Sequence, residues 1–244
     1  MRQLFPQSPD GADPLEVYQL EDPPSGGPAV RVNMVASADG AAMVKGRSEA
    51  LGGPADRRLF HHLRSLTDVI MVGAGTVRAE HYGPARLDAS VQTRRSARGQ
   101  APQPPIAVVT RSCELDWSTP FFTDASSRPI VITVDDAPSE RVGDASNVAD
   151  VLVAGHGDVD LSKAIAALGE RGARWVLVEG GPILNTQLAA GGLLDELCLT
   201  VSPRLFAGDG ARVLNGIEIP NPLDMTLASV CEEDGFLFLR YTRS

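Results

Sequence analysis

The feature that most restricts the fold is the segment Val69-Ile70-Met71-Val72-Gly73-Ala74-Gly75-Thr76-Val77, an unbroken apolar run that ends in two glycines and a hydroxyl. A short apolar run without polar alternation, closed by a turn signal, reads as a strand covered on both faces, which belongs in a sheet flanked by helices. Further β-branched runs at Val30–Ala36, Ile106–Thr110, Ile130–Val134, Val151–Val153 and Trp175–Val178 alternate with helical patterns. Such alternation builds a mostly parallel central sheet with helices on both faces. Gly53-Pro54 opens one helix, whose Leu59, Phe60, Leu63 and Leu66 share a face. Ser162 is a candidate cap for a second, which carries Ile165 and Leu168 and stops at Gly172. Pro182 starts a third, with Leu184 and Leu188 inward and Gly191-Gly192 as its stop. After Leu194 the spacers vanish, so Leu197–Val201, Met225–Val230 and Phe236–Tyr241 are expected as antiparallel C-terminal strands. The fold class is therefore α/β.

At 244 residues, with 43% hydrophobic and 22% charged residues, the chain can bury the core of one globular domain. Residues 1–28, rich in Pro, Gly, Asp and Ser, are expected as an extended or partly disordered arm, and 29–244 as a single domain. Ala89–Pro105 reads as a long surface loop, whose Arg94, Arg95 and Arg98 either face solvent or help receive a phosphate. The net charge of -9 argues against a nucleic-acid footprint. No apolar run approaches the roughly 18 residues that would span a bilayer, and nothing N-terminal reads as a signal sequence, so a cytoplasmic protein is expected. Cys113, Cys198 and Cys231 lack CxxC spacing and read as structural thiols, with no metal implied.

Three strand ends carry groups suited to a dinucleotide. Gly73, Gly75 and Thr76 form a turn in which backbone N–H groups can approach a phosphate, although such turns also serve simply as tight bends. Arg78 stands where a standard dinucleotide-binding fingerprint has its third glycine, so an ordinary Rossmann reading fails. A second turn, Glu179-Gly180-Gly181, leads through Pro182 and Ile183 into a helix, and two such turns in one sheet suit a pyrophosphate. Glu179 is a candidate acceptor for a ribose, a nicotinamide or a substrate base. The third strand end, Thr110-Arg111-Ser112, offers a cation between two hydroxyls, which suits a 2′-phosphate and favours NADPH over NADH. Asn33, inside the first central strand, needs hydrogen-bond partners from neighbouring backbone or from a planar heterocycle. Asp39 serves either its own turn or a ligand.

The ordered set Val32-Asn33-Met34-Val35-Ala36-Ser37-Ala38-Asp39-Gly40, Leu63-Arg64-Ser65, Asp68–Val77, Glu179-Gly180-Gly181 and Leu194-Asp195-Glu196-Leu197 resembles the RibD C-terminal domain family. These pieces span about residues 30 to 215. The resemblance implies a dihydrofolate-reductase-like fold, a homodimer, and NADPH-dependent reduction at C1′ of a ribosylamino-pyrimidine phosphate. It also implies that Thr76, Gly180 and Gly181 bind the cofactor, that Asn33 and Ser48 face the substrate, and that Arg86 is a candidate for the substrate phosphate. The His-x-Glu and Pro-Cys-x-x-Cys signatures of the zinc deaminase that accompanies this domain in bifunctional enzymes are absent, so a reductase alone is expected.

One departure stands close to the chemistry. The family commonly has Asp-Asn-Pro beginning four residues after the threonine, where this chain has Glu80-His81-Tyr82-Gly83-Pro84. Glu80 keeps the carboxylate one methylene longer, at the place where the family contacts cofactor and substrate, and is the candidate catalytic residue. His81 is either a proton donor or an incidental loop residue. Two alternatives stay open: a reductase of dihydrofolate or another pterin, and a non-catalytic NADPH-binding sensor or scaffold.

Overall fold

The computed structural model describes residues 1–7, 13–23, 27–219 and 221–244. The extended or partly disordered arm expected at residues 1–28 includes residues 8–12 and 24–26, which lie outside the described residues. The chain divides into two compact units: Met1–Glu21, Val30–Leu63 and Glu179–Ser244 form the first, and Asp22–Ala29 with Arg64–Val178 the second.

The second unit is built on five parallel strands in the order β7 (Trp175–Val178), β3 (Val69–Gly73), β4 (Ile106–Val109), β5 (Ile130–Thr133) and β6 (Asp150–Val153). All four residues of both β5 and β7 are buried, as apolar runs without alternation require. Helices α2 (Ala74–Ala79), α3 (Ala89–Ala97), α4 (Pro120–Thr123), α5 (Ser139–Val148) and α6 (Leu161–Glu170) connect the strands. The α6 N-terminus is capped by Asp160, whose side chain accepts from the N–H groups of Ser162 and Lys163, and not by Ser162. The aspartate stands one residue before the helix, where a cap side chain reaches the free N–H groups, whereas Ser162 is already inside the first turn. Gly172 ends α6 at φ +91°.

In the first unit the strand order is β1 (Arg2–Phe5), β9 (Met225–Glu233), β10 (Phe236–Arg243), β8 (Glu196–Ser202) and β2 (Ala29–Ser37). β2 and β8 are parallel and the remaining neighbours antiparallel, as expected of the C-terminal strands. Helix α7 (Pro182–Ala190) buries Leu184 and Leu188, while α1 (Pro54–Leu66) starts at the expected proline and contributes Leu59 and Leu63 to the core. β1 has no strand signature of its own; it is added to the β9 edge of the sheet by backbone pairing.

Ala89–Pro105 is not one long loop. Its first half is α3, and Arg95, 1% exposed, is neither solvated nor available to a phosphate. Its Nη1 donates to the carbonyls of Ser65 at 3.0 Å and Thr67 at 2.6 Å, and its Nε to Ala101 at 2.9 Å. The guanidinium thus serves acceptors around the α1 C-terminus, where carbonyls lack partners within the helix. No helix among the described residues is long and apolar enough to cross a membrane.

Candidate active site

In the second unit the expected phosphate-binding groups stand at neighbouring strand ends. Gly73 pairs with Val109 in the parallel register, which sets Gly73, Gly75 and Thr76 beside Thr110, Arg111 and Ser112. Gly73 is the N-cap of α2 in extended conformation. A Cβ at Gly75 would meet nothing within 4 Å, so the fold leaves open space there for close approach of another molecule. Thr76 is half-buried, and its hydroxyl makes no hydrogen bond among the described residues. Thr110 differs: it is buried and its Oγ1 accepts the Cys113 N–H at 3.1 Å, so its hydroxyl serves its own turn. Ser112 gives its carbonyl to Arg141 Nη1 at 3.3 Å.

Arg111 is exposed and lies 3.4 Å from Asp158, itself exposed. Exposed pairs of this kind contribute at most about 1 kcal/mol, so a phosphate can replace the carboxylate as partner. Beside it, Asp135, Asp136 and His156 form an exposed group that sequence reasoning missed, with His156 Nδ1 2.7 Å from Asp135 Oδ1. The hydrogen bond to Asp135 raises the imidazole pKa above its ordinary value. The only sequence signal was an acidic pair just after one strand and a histidine just after the next. Arg86 is not at a strand end; it is exposed, 3.9 Å from Asp124 at the end of α4. Glu80 is half-buried at the C-cap of α2, its N–H bonded to the Thr76 carbonyl at 2.9 Å.

The first unit holds three of the expected substrate residues, Asn33, Ser48 and Glu179. Asn33 lies on β2 opposite Cys198 of β8. It is half-buried, and its amide has no hydrogen-bond partner among the described residues, which leaves it able to bond a ligand. Ser48 is half-buried in the loop after β2, and its carbonyl accepts the Leu51 N–H at 2.8 Å. Glu179 is buried and Gly180 follows at φ +90°, a conformation that side chains rarely adopt; a Cβ there would also come within 3.3 Å of Met34 Sδ. The Gly180–Gly181 peptide is cis, and Gly181 is the N-cap of α7. Pro182 occupies the first helical turn and Ile183 is 63% exposed, unusual for an isoleucine and available for apolar contact.

Other motif residues are committed to structure. Asp39 accepts from the Ser37 hydroxyl and from the N–H groups of Phe206 at 3.0 Å and Ala207 at 2.7 Å, so it holds a distant loop as well as its own turn. Glu196 is buried between Arg31 and Arg240, with closest contacts of 2.5 Å to each. Asp195 accepts the Val30 N–H at 2.8 Å, and Asp68 accepts those of Arg174 and Trp175, both at 2.9 Å. All three cysteines are free and buried, and burial pushes the Cys198 thiol up to about 11, which keeps it protonated and inert at neutral pH.

The sequence profile of the RibD C-terminal domain matches residues 28–235. The chain is 34% identical over 189 residues to the 2,5-diamino-6-ribosylamino-4(3H)-pyrimidinone 5′-phosphate reductase of Methanothermobacter thermautotrophicus, covering 77% of this chain and 83% of that protein. It is 32% identical over 191 residues to the enzyme of the same name from Archaeoglobus fulgidus, covering 78% and 87%. Among solved structures, a pyrimidine reductase-like protein from Corynebacterium diphtheriae superposes with a TM-score of 0.83 at 28% identity, over 96% of each chain.

Proposed function

The chain belongs to the RibD C-terminal domain family, with its dihydrofolate-reductase-like fold, and from that premise we propose that it is an NADPH-dependent reductase of a ribosylamino-pyrimidine phosphate. The observation that carries this reading is that relatives above 30% identity, the two described above among them, are named for that reaction. Residues 29–244 act as one reductase domain, since the family match runs through nearly all of them. A homodimer and a cytoplasmic location accompany the reading.

NADPH, when bound, supplies the hydride that reduces the substrate at C1′. Everything else falls to this chain's own residues. Gly73, Gly75, Thr76, Gly180, Gly181, Pro182 and Ile183 hold the dinucleotide, with Thr76 contributing a hydroxyl that makes no hydrogen bond among the described residues. Thr110, Arg111 and Ser112 form the 2′-phosphate end, Arg111 as a fixed cation and Thr110 by holding the turn that presents it. Asn33, Ser48, Glu179 and Arg86 bind the substrate. Glu80 touches both ligands, orienting the reacting centre and stabilising positive charge on the ring-opened imine. Catalysis by positioning of this kind needs no covalent step from the protein.

Fluorescence titration with NADPH and NADH, followed by absorbance at the nicotinamide band with pyrimidine and pterin substrates, tests the reading. Arg111→Ala is expected to weaken NADPH about tenfold, the effect of losing one charged hydrogen bond, with NADH unchanged; equal losses for both would remove the 2′-phosphate assignment. Glu80→Gln is expected to lower turnover about a hundredfold. The departure at Glu80-His81-Tyr82 favours a second reading, in which substrate choice has shifted. If Glu80→Asp leaves the ratio of pyrimidine to dihydrofolate turnover unchanged, Glu80 does not set that choice. Binding of NADPH without oxidation by any pyrimidine or pterin would instead favour a sensor or scaffold.

A further inference from the structure

The departure Glu80-His81-Tyr82 acquires a physical meaning from the turn it forms. Glu80 caps α2 at φ -91°, ψ 2°. His81 follows in left-handed conformation at φ +49°, and the Tyr82 N–H returns to the Val77 carbonyl at 3.1 Å. This is the 6→1 closure of a Schellman-like ending, in which the left-handed position of His81 is usually glycine. A side chain in that conformation costs roughly 1 kcal/mol, so the turn gains from a tie outside the helix. Tyr82 provides one. Its Oη accepts from Arg64 Nη2 at 2.9 Å, the Arg64 guanidinium lies 5.5 Å from its ring centre, and the ring packs against Phe121 at 6.4 Å. Arg64 is 7% exposed and Phe121 1%, so the anchor is itself fixed.

We propose that Tyr82, held by Arg64, is a positioning residue for Glu80: it locks the turn from which the Glu80 side chain extends, and so keeps an acid that is one methylene longer than the family's aimed in a single direction. The inference rests on the reading of Glu80 as the residue that touches the reacting groups. Arg64 belongs to the Leu63-Arg64-Ser65 motif, in which Leu63 packs in the core and the Ser65 carbonyl accepts from Arg95. A tyrosine that only filled space would, when truncated, lower stability and cofactor affinity together. A positioning tyrosine lowers turnover with binding preserved.

The test uses Tyr82→Phe and Tyr82→Ala in the full chain, with melting temperature, NADPH affinity by fluorescence, and kcat and KM for the ribosylamino-pyrimidine phosphate measured for each. Because small misplacements of a catalytic group are costly, kcat is expected to fall about fivefold in Tyr82→Phe and about fiftyfold in Tyr82→Ala, while NADPH affinity and substrate KM change less than about twofold. Tyr82→Phe keeps the ring and serves where the alanine variant folds poorly. An unchanged kcat in both variants, or a fall in kcat matched by an equal loss of NADPH affinity, overturns the proposal. Glu80→Gln separates the two levels: if it is inactive while the Tyr82 variants turn over normally, only the role of Tyr82 fails. If Glu80→Gln retains full turnover, the assignment of Glu80 fails and that of Tyr82 with it.

Discussion

Asp39 sits in the turn after β2, and from the sequence its carboxylate could serve that turn or a ligand equally well. The fold engages both oxygens: one accepts from the Ser37 hydroxyl, the other from the N–H groups of Phe206 and Ala207. These bonds, the Ser37 one foremost, favour the charged form and hold the carboxyl below its ordinary value of 3.8. A depressed pKa means that the clamp is fully present above the unfolded value and weakens as pH falls through the folded one. Amide exchange at Phe206 and Ala207 should therefore accelerate below about pH 4 relative to the intrinsic rate, and Asp39→Asn should show the faster exchange already at neutral pH. Protection unchanged in that variant would mean that the loop is held by other contacts. The contrast with Asn33 is instructive at the same scale. Both are polar residues on or just after the first central strand, yet of the two only Asn33 keeps a half-buried side chain with no hydrogen bond among the described residues, the condition a ligand contact requires.

Elements were legible where a local pattern dictates them. The runs beginning at Val69, Ile106, Ile130 and Trp175 became parallel strands within a residue or so of their expected ends, because a short apolar stretch bounded by turn residues has few other places to go. Helix α3 escaped detection because Ala89–Ala97 has no apolar face; its order comes from what Arg95 does elsewhere. Arg95 joins α3 to the end of α1 through carbonyls some 30 residues distant in the chain, which no local window can reveal. Replacing Arg95 by Met keeps the stem and deletes the donors, leaving buried carbonyls unsatisfied. A loss of about 2 to 4 kcal/mol is expected, read as an earlier urea midpoint with the slope unchanged. A midpoint within error of wild type would show that water satisfies those carbonyls instead.

Across the molecule, the triad of buried Arg31 and Glu196 with half-buried Arg240 shows what holds the first unit together. Glu196 of β8 meets Arg31 of the parallel neighbour and Arg240 of the antiparallel one, while Arg31 Nη1 also donates to the Tyr18 carbonyl at 2.8 Å, which fastens the N-terminal arm. Glu196→Gln would leave the buried Arg31 and half-buried Arg240 guanidinium groups without their counter-charge, and a destabilisation of roughly 3 to 5 kcal/mol is expected. That lowers the melting temperature by about 10 °C for a chain of this size; a shift of only a degree or two would mean that the arginines find other acceptors. Leu194-Asp195-Glu196-Leu197 was readable as a family motif but not as this triad. By itself, the sequence determined the α/β class, the places of most strands along the chain, the glycine turns at their ends and the family, because each follows from short-range periodicity or from an ordered set of local motifs. Only the tertiary structure decided which polar residues are spent within the fold and which remain available to a ligand. Thr110, Arg95 and Glu196 are engaged and Thr76, Asn33 and Arg111 are accessible because a buried polar group must find its partner in space, and the partner's place along the chain is not constrained by that need.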